Sequence, residues 1–537
     1  MKIPPLMAFL VFSSQISFAQ TWQDTLSLVD KSFSQYQATN PGCQLSVSRN
    51  GQIILSRAWG MANLEQNSPL SATSVLEPGS ISKQFTAAAI LLLEQQGKLS
   101  LDDDVRKYIP ELPDYGHVIR LRHMLHHTSG LRAWERIASL TGWPRGRKFY
   151  TNEDVLDIIV HQKHLNNTPG NEFLYSNSNY NLFTIIVRRV SGLTLAEFTR
   201  QYIFVPAGMT HTQWRDDPNK IVLNRATAYT RSGSSYTTDM PNEYVYGQGG
   251  LLTTTEDLLK WCEFYQRNKL GSPSLLSRQI QTEPLTNGEM NIYAAGLFVR
   301  KNRGWNSISH DGATASYRGW LETFPDLGLS FAVLSNTSEF NIRKVAGKVS
   351  QIFVPDKTEK DPEPETSIDL PESDLEAFTG MYRNERDGST FQLSAKDKKL
   401  MLDNNLPLTA VSGNTFKAGN FLLKIMGGKG LYISGPPRDS IPFTKVRPAD
   451  ISREDIKDYE GRYSSEETNS SLVTRVDSGR LIMHLKPGVD YLLTPTYKDG
   501  FNLGVLGCDL HYIRNSSNHV VAMKISFGDA RNIEFKK

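Results

Sequence analysis

The apolar positions of this chain change period several times, and the changes divide it. Across 21–37, TWQDTLSLVDKSFSQYQ, apolar residues return every three or four positions, the spacing of an amphipathic helix. QLSVSRNGQIILSRAWG (44–60) alternates instead, with Asn50-Gly51 between its two runs. That pair accepts the two positive φ angles of a type I′ turn, so the segment predicts a β-hairpin. An apolar run follows Ser80-Ile81-Ser82-Lys83 and predicts a helix to about Gln96, capped by Gly97. Helical and loop patterns continue from Leu99 to about Tyr265. GWLETFPDLGLSFAVLSN (319–336) returns to strands around a Pro-Asp-Leu-Gly turn, and a helix is expected from about Asn341 to Phe353. Strands at both ends with helices between them predict an α+β domain over 20–353: one sheet covered by a large helical insert.

VPDKTEKDPEPETSIDLPES (354–373) is rich in Pro, Glu and Asp and reads as a linker. Short alternating runs broken by Gly, Asn and Asp follow it. They also repeat: DLEAFTGMY (374–382) and DIKDYEGRY (455–463) share D-x-x-x-[FY]-x-G-x-Y. The repeat predicts two small all-β units in tandem, barrels or sandwiches, over 374–448 and 449–537.

Composition narrows the field. The chain has 537 residues, 39% hydrophobic and 21% charged, which is globular, and a net charge of +3, too small to imply a nucleic-acid partner. MKIPPLMAFLVFSSQISFAQ (1–20) has a lysine, a short apolar core and small residues around Phe18, the pattern of a signal peptide cut after Ala19. That core is too short for a stable membrane anchor, so a periplasmic or secreted protein is expected. Three widely spaced cysteines, Cys43, Cys262 and Cys508, allow one disulfide at most and read as buried thiols.

Candidate chemistry begins at Ser80 and Lys83. Residues three apart share a helix face, so the lysine can take the serine's proton if its pKa is lowered. Taken alone, the tetrapeptide reads more readily as a helix cap beside a surface lysine. Tyr175-Ser176-Asn177 places a phenol and an amide two residues apart, just before a helical pattern. His310-Asp311-Gly312 precedes the strand at 319–324, where glycine would let a substrate backbone lie against the strand edge. Asp311 faces the cleft or the opposite side, depending on strand alternation. His123, His126 and His127 cluster without a carboxylate or cysteine to complete a ligand set, so no metal and no cofactor are expected. Trp143 and Tyr150 are candidate cleft walls or packing residues.

Three such elements in this order resemble the signature of the serine β-lactamase and penicillin-binding protein superfamily, in its class C β-lactamase and DD-peptidase branch, where Y-x-N stands for S-D-N. LEQQGKLSLDDDVRKYIPELP (93–113), LRHMLHHTSGL (121–131) and GQGGLLTTTEDLLKW (247–261) support the resemblance, which covers about 25–353. It implies a β-lactamase/transpeptidase-like fold with an antiparallel sheet. It implies Ser80 as the acylated nucleophile and Lys83 and Tyr175 as proton-transfer groups. Asn177, His310, Gly312 and Ala313 are the implied substrate-binding residues, with the N–H groups of Ser80 and Ala313 as oxyanion donors. The segment His127-Thr128-Ser129-Gly130 is implied to be a buried turn. Lys-Thr-Gly of true class C enzymes is His-Asp-Gly here, which points away from strong β-lactamase action. The tandem tail resembles that of D-aminopeptidase. The expected substrates are small D-amino-acid peptides, peptidoglycan fragments among them. The alternatives are an ester or β-lactam substrate, or a slowly acylating binding or scaffold protein.

Overall fold

The computed structural model describes residues 21–217, 219–267, 274–357, 367–418, 421–426, 429–434, 441–450, 456–486 and 489–537. The expected signal peptide and the middle of the expected linker lie outside them. No helix among the described residues is long and apolar enough to cross a membrane.

Helix α1 (Trp22–Phe33) is closed by a Thr21–Asp24 capping box. Strands β1 (Cys43–Arg49) and β2 (Gln52–Trp59) form the expected hairpin, with Asn50 at φ 50° and Gly51 at φ 77°. The remaining strands of the sheet come from the far end of the domain: β3 (Phe298–Asn302), β4 (Trp305–Thr314), β5 (Tyr317–Phe324) and β6 (Leu329–Ser335). The six-stranded order is β2-β1-β6-β5-β4-β3, antiparallel throughout. One face packs against α1 and a C-terminal helix, Ile342–Phe353, capped by Asn341. The other face meets the helical insert. At the insert's centre is α2 (Lys83–Gln95), whose residues from Lys83 to Leu93 are all buried, as its Ala-Ala-Ala-Ile-Leu-Leu-Leu run dictates. The helix starts later than expected. Gly79–Ser82 is a tight 3₁₀ turn, in which residues three apart eclipse one another.

The tail is two all-β units. Eight strands from Gly380–Asn384 to Ile441–Val446 close a barrel, sealed by pairs such as Tyr382 with Lys445. Nine strands from Gly461–Ser465 to Ala530–Lys536 form an open, nearly closed sheet whose two ends are the consecutive strands 489–492 and 494–495. The sequence repeat has one structural meaning in both. Each copy is a helical turn leading into a strand that starts at the glycine. The final tyrosine returns a hydrogen bond to the aromatic four residues earlier: Tyr382 to the Phe378 carbonyl at 2.9 Å, Tyr463 to the Tyr459 carbonyl at 3.0 Å. All three cysteines are buried and unpaired.

The tail is built into the α+β half. Helix α3 (Trp134–Leu140) sends Ile137 and Leu140 into the core of the nine-stranded sheet. At its start, the Ala133 N–H donates to the Asp529 carbonyl (3.0 Å) and Arg136 pairs with the Asp529 carboxylate. Arg132, with a fully enclosed side chain, pairs with Glu467 at 2.7 Å. Arg531 grips Glu172 with two hydrogen bonds of 2.9 Å, and Arg386 of the barrel reaches the same carboxylate.

Candidate active site

The 3₁₀ turn leaves Ser80 partly accessible and points Lys83 at it. Lys83 Nζ donates to Asn177 Oδ1 (2.7 Å) and the Gln248 carbonyl (2.7 Å) and lies 3.1 Å from Ser80 Oγ. Its side chain is wholly buried, and that burial holds its pKa well below the usual lysine range. The nearby Glu135 carboxylate opposes the shift and the Arg145 guanidinium adds to it. The amine is therefore suited to accept a proton from Ser80. Ser82 is occupied elsewhere, donating to the Gly79 carbonyl and accepting from the Leu251 N–H.

Helix α4 (Asn177–Ser191) carries the amide at its first turn, with Ser176 as N-cap and Tyr175 just before it. The Tyr175 hydroxyl is enclosed beside Ser80 and Tyr293, and burial raises its pKa, so it is a phenol and not a phenolate. Lys83 Nζ lies 4.8 Å from its ring centroid. Tyr180 is core, donating to the Leu125 carbonyl. His127, at φ 55° in the expected buried turn, stacks on Tyr175 at 4.1 Å and accepts at Nδ1 from the Ser176 N–H.

Strand β4 is pressed onto the serine turn. A Cβ at Gly312 would stand 1.9 Å from the Pro78 carbonyl oxygen and 2.8 Å from the Ser80 nitrogen, and one at Gly79 (φ +57°) would stand 2.5 Å from the Ala313 nitrogen. Glycine at 312 thus serves contact with the serine turn, a reason different from the substrate clearance expected from sequence. The contact brings the backbone of Ala313 alongside that of Ser80.

The other candidates are fixed by their partners. His310 is buried, with Nδ1 on the Asp311 carbonyl and Nε2 accepting from the Tyr293 hydroxyl at 3.0 Å. Burial, and then the charge of Lys83, push its pKa down to about 4, so it is neutral at pH 7, and both ring nitrogens are engaged. Asp311 pairs with Arg343 on the helix behind the sheet at 3.0 Å. Asn177 Nδ2 donates one of its two N–H groups to Glu135 Oε1. Tyr150 is buried against Trp134, while Trp143 is exposed.

Sequence reasoning missed Glu135 and Arg145. Glu135, on α3, keeps some solvent exposure as a residue, but its Oε2 is enclosed without a partner and burial raises its pKa. Arg145 binds Glu243 through two nitrogens and reaches Thr314 Oγ1 at the end of β4 (3.3 Å). Glu243 continues to Arg215 (3.7 Å), and Arg215 to Glu77 beside the serine turn. Glu77 also accepts from the Gly250 N–H, which ties this chain of charges to the Gln248 loop.

Penicillin-binding protein 4* of Bacillus subtilis (strain 168) is 28% identical to this chain over 311 residues, 54% of this chain and 67% of that protein. The chain spans about two thirds or less of the length of the curated relatives it matches. The octameric penicillin-binding protein homologue from Pyrococcus abyssi superposes with a TM-score of 0.55 at 19% identity, over 86% of this chain and 98% of that one. Such coverage reaches into the tail. The D-stereospecific amidohydrolase from Streptomyces sp. gives 0.53 at 19% identity, over 61% and 98%. These two share the fold. The Beta-lactamase family model matches residues 29–348, more than half of the chain, from α1 through the sheet and the serine turn. The chain belongs to the beta-lactamase family.

Proposed function

We propose that this protein is an exported serine hydrolase that cleaves the amide bond of a D-amino-acid amide or short peptide whose α-amine is free. The observation that carries the reading is Glu135: a carboxylate set against Asn177 and Lys83, with one enclosed oxygen unsatisfied. An unpaired buried carboxylate oxygen is costly, and a substrate ammonium would satisfy it. The neutral His310 offers no cation for a β-lactam carboxylate. The D configuration follows the likeness to the D-stereospecific amidohydrolase. Export rests on the first twenty residues.

In this reading Ser80 Oγ attacks the carbonyl carbon while Lys83 takes its proton. The N–H groups of Ser80 and Ala313 hold the oxyanion. The C–N bond breaks as the leaving amine takes a proton from the Tyr175 phenol, which Lys83 replenishes. Water then attacks the Ser80 ester and gives its proton to Lys83, which passes it to Ser80 Oγ as the acid is released.

The test compares D-alanine p-nitroanilide with its N-acetyl derivative. A hydrogen bond to a charged group is worth about 1.5–3 kcal/mol, so the free amine should be favoured roughly 10- to 150-fold in kcat/KM. Glu135→Gln should erase most of that preference, and Ser80→Ala should abolish both reactions. Equal rates on the two anilides would overturn the amine reading. Turnover confined to p-nitrophenyl acetate would make the protein an esterase.

A further inference from the structure

The turn Gly528-Asp529 joins strands 520–527 and 530–536 at the end of the chain and is bonded to the segments that carry Glu135 and Tyr175. The Asp529 carbonyl accepts from the Ala133 N–H (3.0 Å), two residues before Glu135, and from Asn166 Nδ2 (2.9 Å). The Arg531 N–H donates to Asn166 Oδ1 (2.7 Å), so one side-chain amide closes on the turn from both sides.

The Arg531 side chain makes the second grip. Its target, Glu172, stands three residues before Tyr175 on a stretch, 171–176, that is neither helix nor strand. Such a stretch has no ladder of backbone bonds along it, so side-chain contacts decide where it lies. Both side chains of the pair are buried, and two parallel bonds of 2.9 Å join them, which fixes direction as well as distance. On the other side of Tyr175 the chain has a separate anchor. Ser178 Oγ, in the first turn of α4, donates to the Arg132 carbonyl (2.7 Å) and accepts from the Trp134 N–H (3.0 Å). Asn177 and its bond to Lys83 sit beside that anchor, which does not involve Arg531. Tyr175 lies between the two, so it is the group of the site that depends on Glu172.

We propose that Arg531 is a positioning residue for the Tyr175 phenol, acting through Glu172, and that the tail thereby governs cleavage of amides more than of activated esters. The inference rests on the reading of Tyr175 as the acid that protonates the leaving amine. An anilide needs that proton as its C–N bond breaks, whereas p-nitrophenolate leaves without one.

The test uses the full chain, with D-alanine p-nitroanilide and p-nitrophenyl acetate as substrates and circular dichroism to confirm folding. Arg531→Lys keeps the charge but cannot make the two parallel bonds, and Arg386 still neutralises Glu172. It should lower kcat on the anilide by about tenfold or more and leave single-turnover acylation by the ester within about threefold of wild type. Asn166→Ala, which opens the other grip at a half-buried position, should shift the ratio of the two rates the same way. Tyr175→Phe should show a larger selective loss on the anilide, about 10²-fold, and adding Arg531→Lys to it should lower neither rate further. A loss of stability alone would not move that ratio. If Tyr175→Phe is selective but Arg531→Lys lowers both rates equally or neither, the positioning role is overturned and the Ser80 reading stands. If Tyr175→Phe cleaves both substrates like wild type, the acid reading falls and this inference falls with it.

Discussion

Replacing Gly312 with alanine tests how β4 is seated on the serine turn. The new methyl would start 1.9 Å from the Pro78 oxygen, against roughly 3.3 Å for a close carbon–oxygen contact. The strand or the turn must therefore retreat by about 1.4 Å. That motion parts the Ala313 and Ser80 nitrogens, the two proposed oxyanion donors. Loss of one such donor costs about 10²- to 10³-fold in rate, or about 2.7–4 kcal/mol. A misplacement near 1 Å can alone cost about 10²-fold. Gly319, opposite Gly312 in the register, is looser: its Cβ would stand 2.9 Å from the same oxygen. Gly319→Ala should therefore cost less than Gly312→Ala. The assay is the single-turnover rate constant for acylation by p-nitrophenyl acetate, with circular dichroism to confirm folding. A rate constant reports the folded molecules and is insensitive to their fraction. A folded Gly312→Ala protein acylating within threefold of wild type would refute the reasoning.

Glu135→Gln keeps an acceptor for Asn177 but removes the charge that props up the Lys83 pKa. The acidic limb of kcat/KM, measured on an ester without an amine, should move to lower pH; movement upward would contradict the electrostatics. His310 has a folded pKa near 4 against 6.5 when unfolded, so the unfolded chain takes the proton first as pH falls. The resulting penalty on folding begins below pH 6.5 and is complete near pH 4, about 3 kcal/mol in all. Urea titrations at pH 7.5 and pH 4 should show wild type losing about that much more stability than His310→Gln. Arg531→Met leaves Glu172 buried with Arg386 still beside it. It should cost about 3 kcal/mol by urea unfolding, at the low end for a broken buried pair, and Glu172→Met in the same chain should restore part of it.

What the sequence made legible was local. Asn50-Gly51 turns because two adjacent residues tolerate positive φ, and no distant partner is needed. Ser80 and Lys83 are three apart, so any helical turn aligns them. The tandem repeat carries its own hydrogen bond within four residues. What stayed hidden depends on contacts between remote segments. Glu135 acquires meaning from Asn177, 42 positions later. The neutrality of His310 comes from burial beneath Tyr293, which no alternation pattern records. The tight seat of Gly312 is a meeting of two backbones, and backbone atoms leave no trace in residue type beyond the glycine itself. The face of α3 bearing Ile137 and Leu140 reads as ordinary amphipathy, yet its partner is the last sheet of the chain.

That shared helix sets a schedule. Arg132 and Asn532 touch across 400 positions. At about 5–20 residues synthesised per second, the ribosome needs roughly 20–80 s to make the second after the first. Through that interval α3 has no sheet to receive Ile137 and Leu140, and the Glu135–Asn177–Lys83 chain lacks the frame that steadies it. Helix α3 thus waits for its packing partner until the final strands exist, and a stalled or clipped product carries Ile137 and Leu140 uncovered.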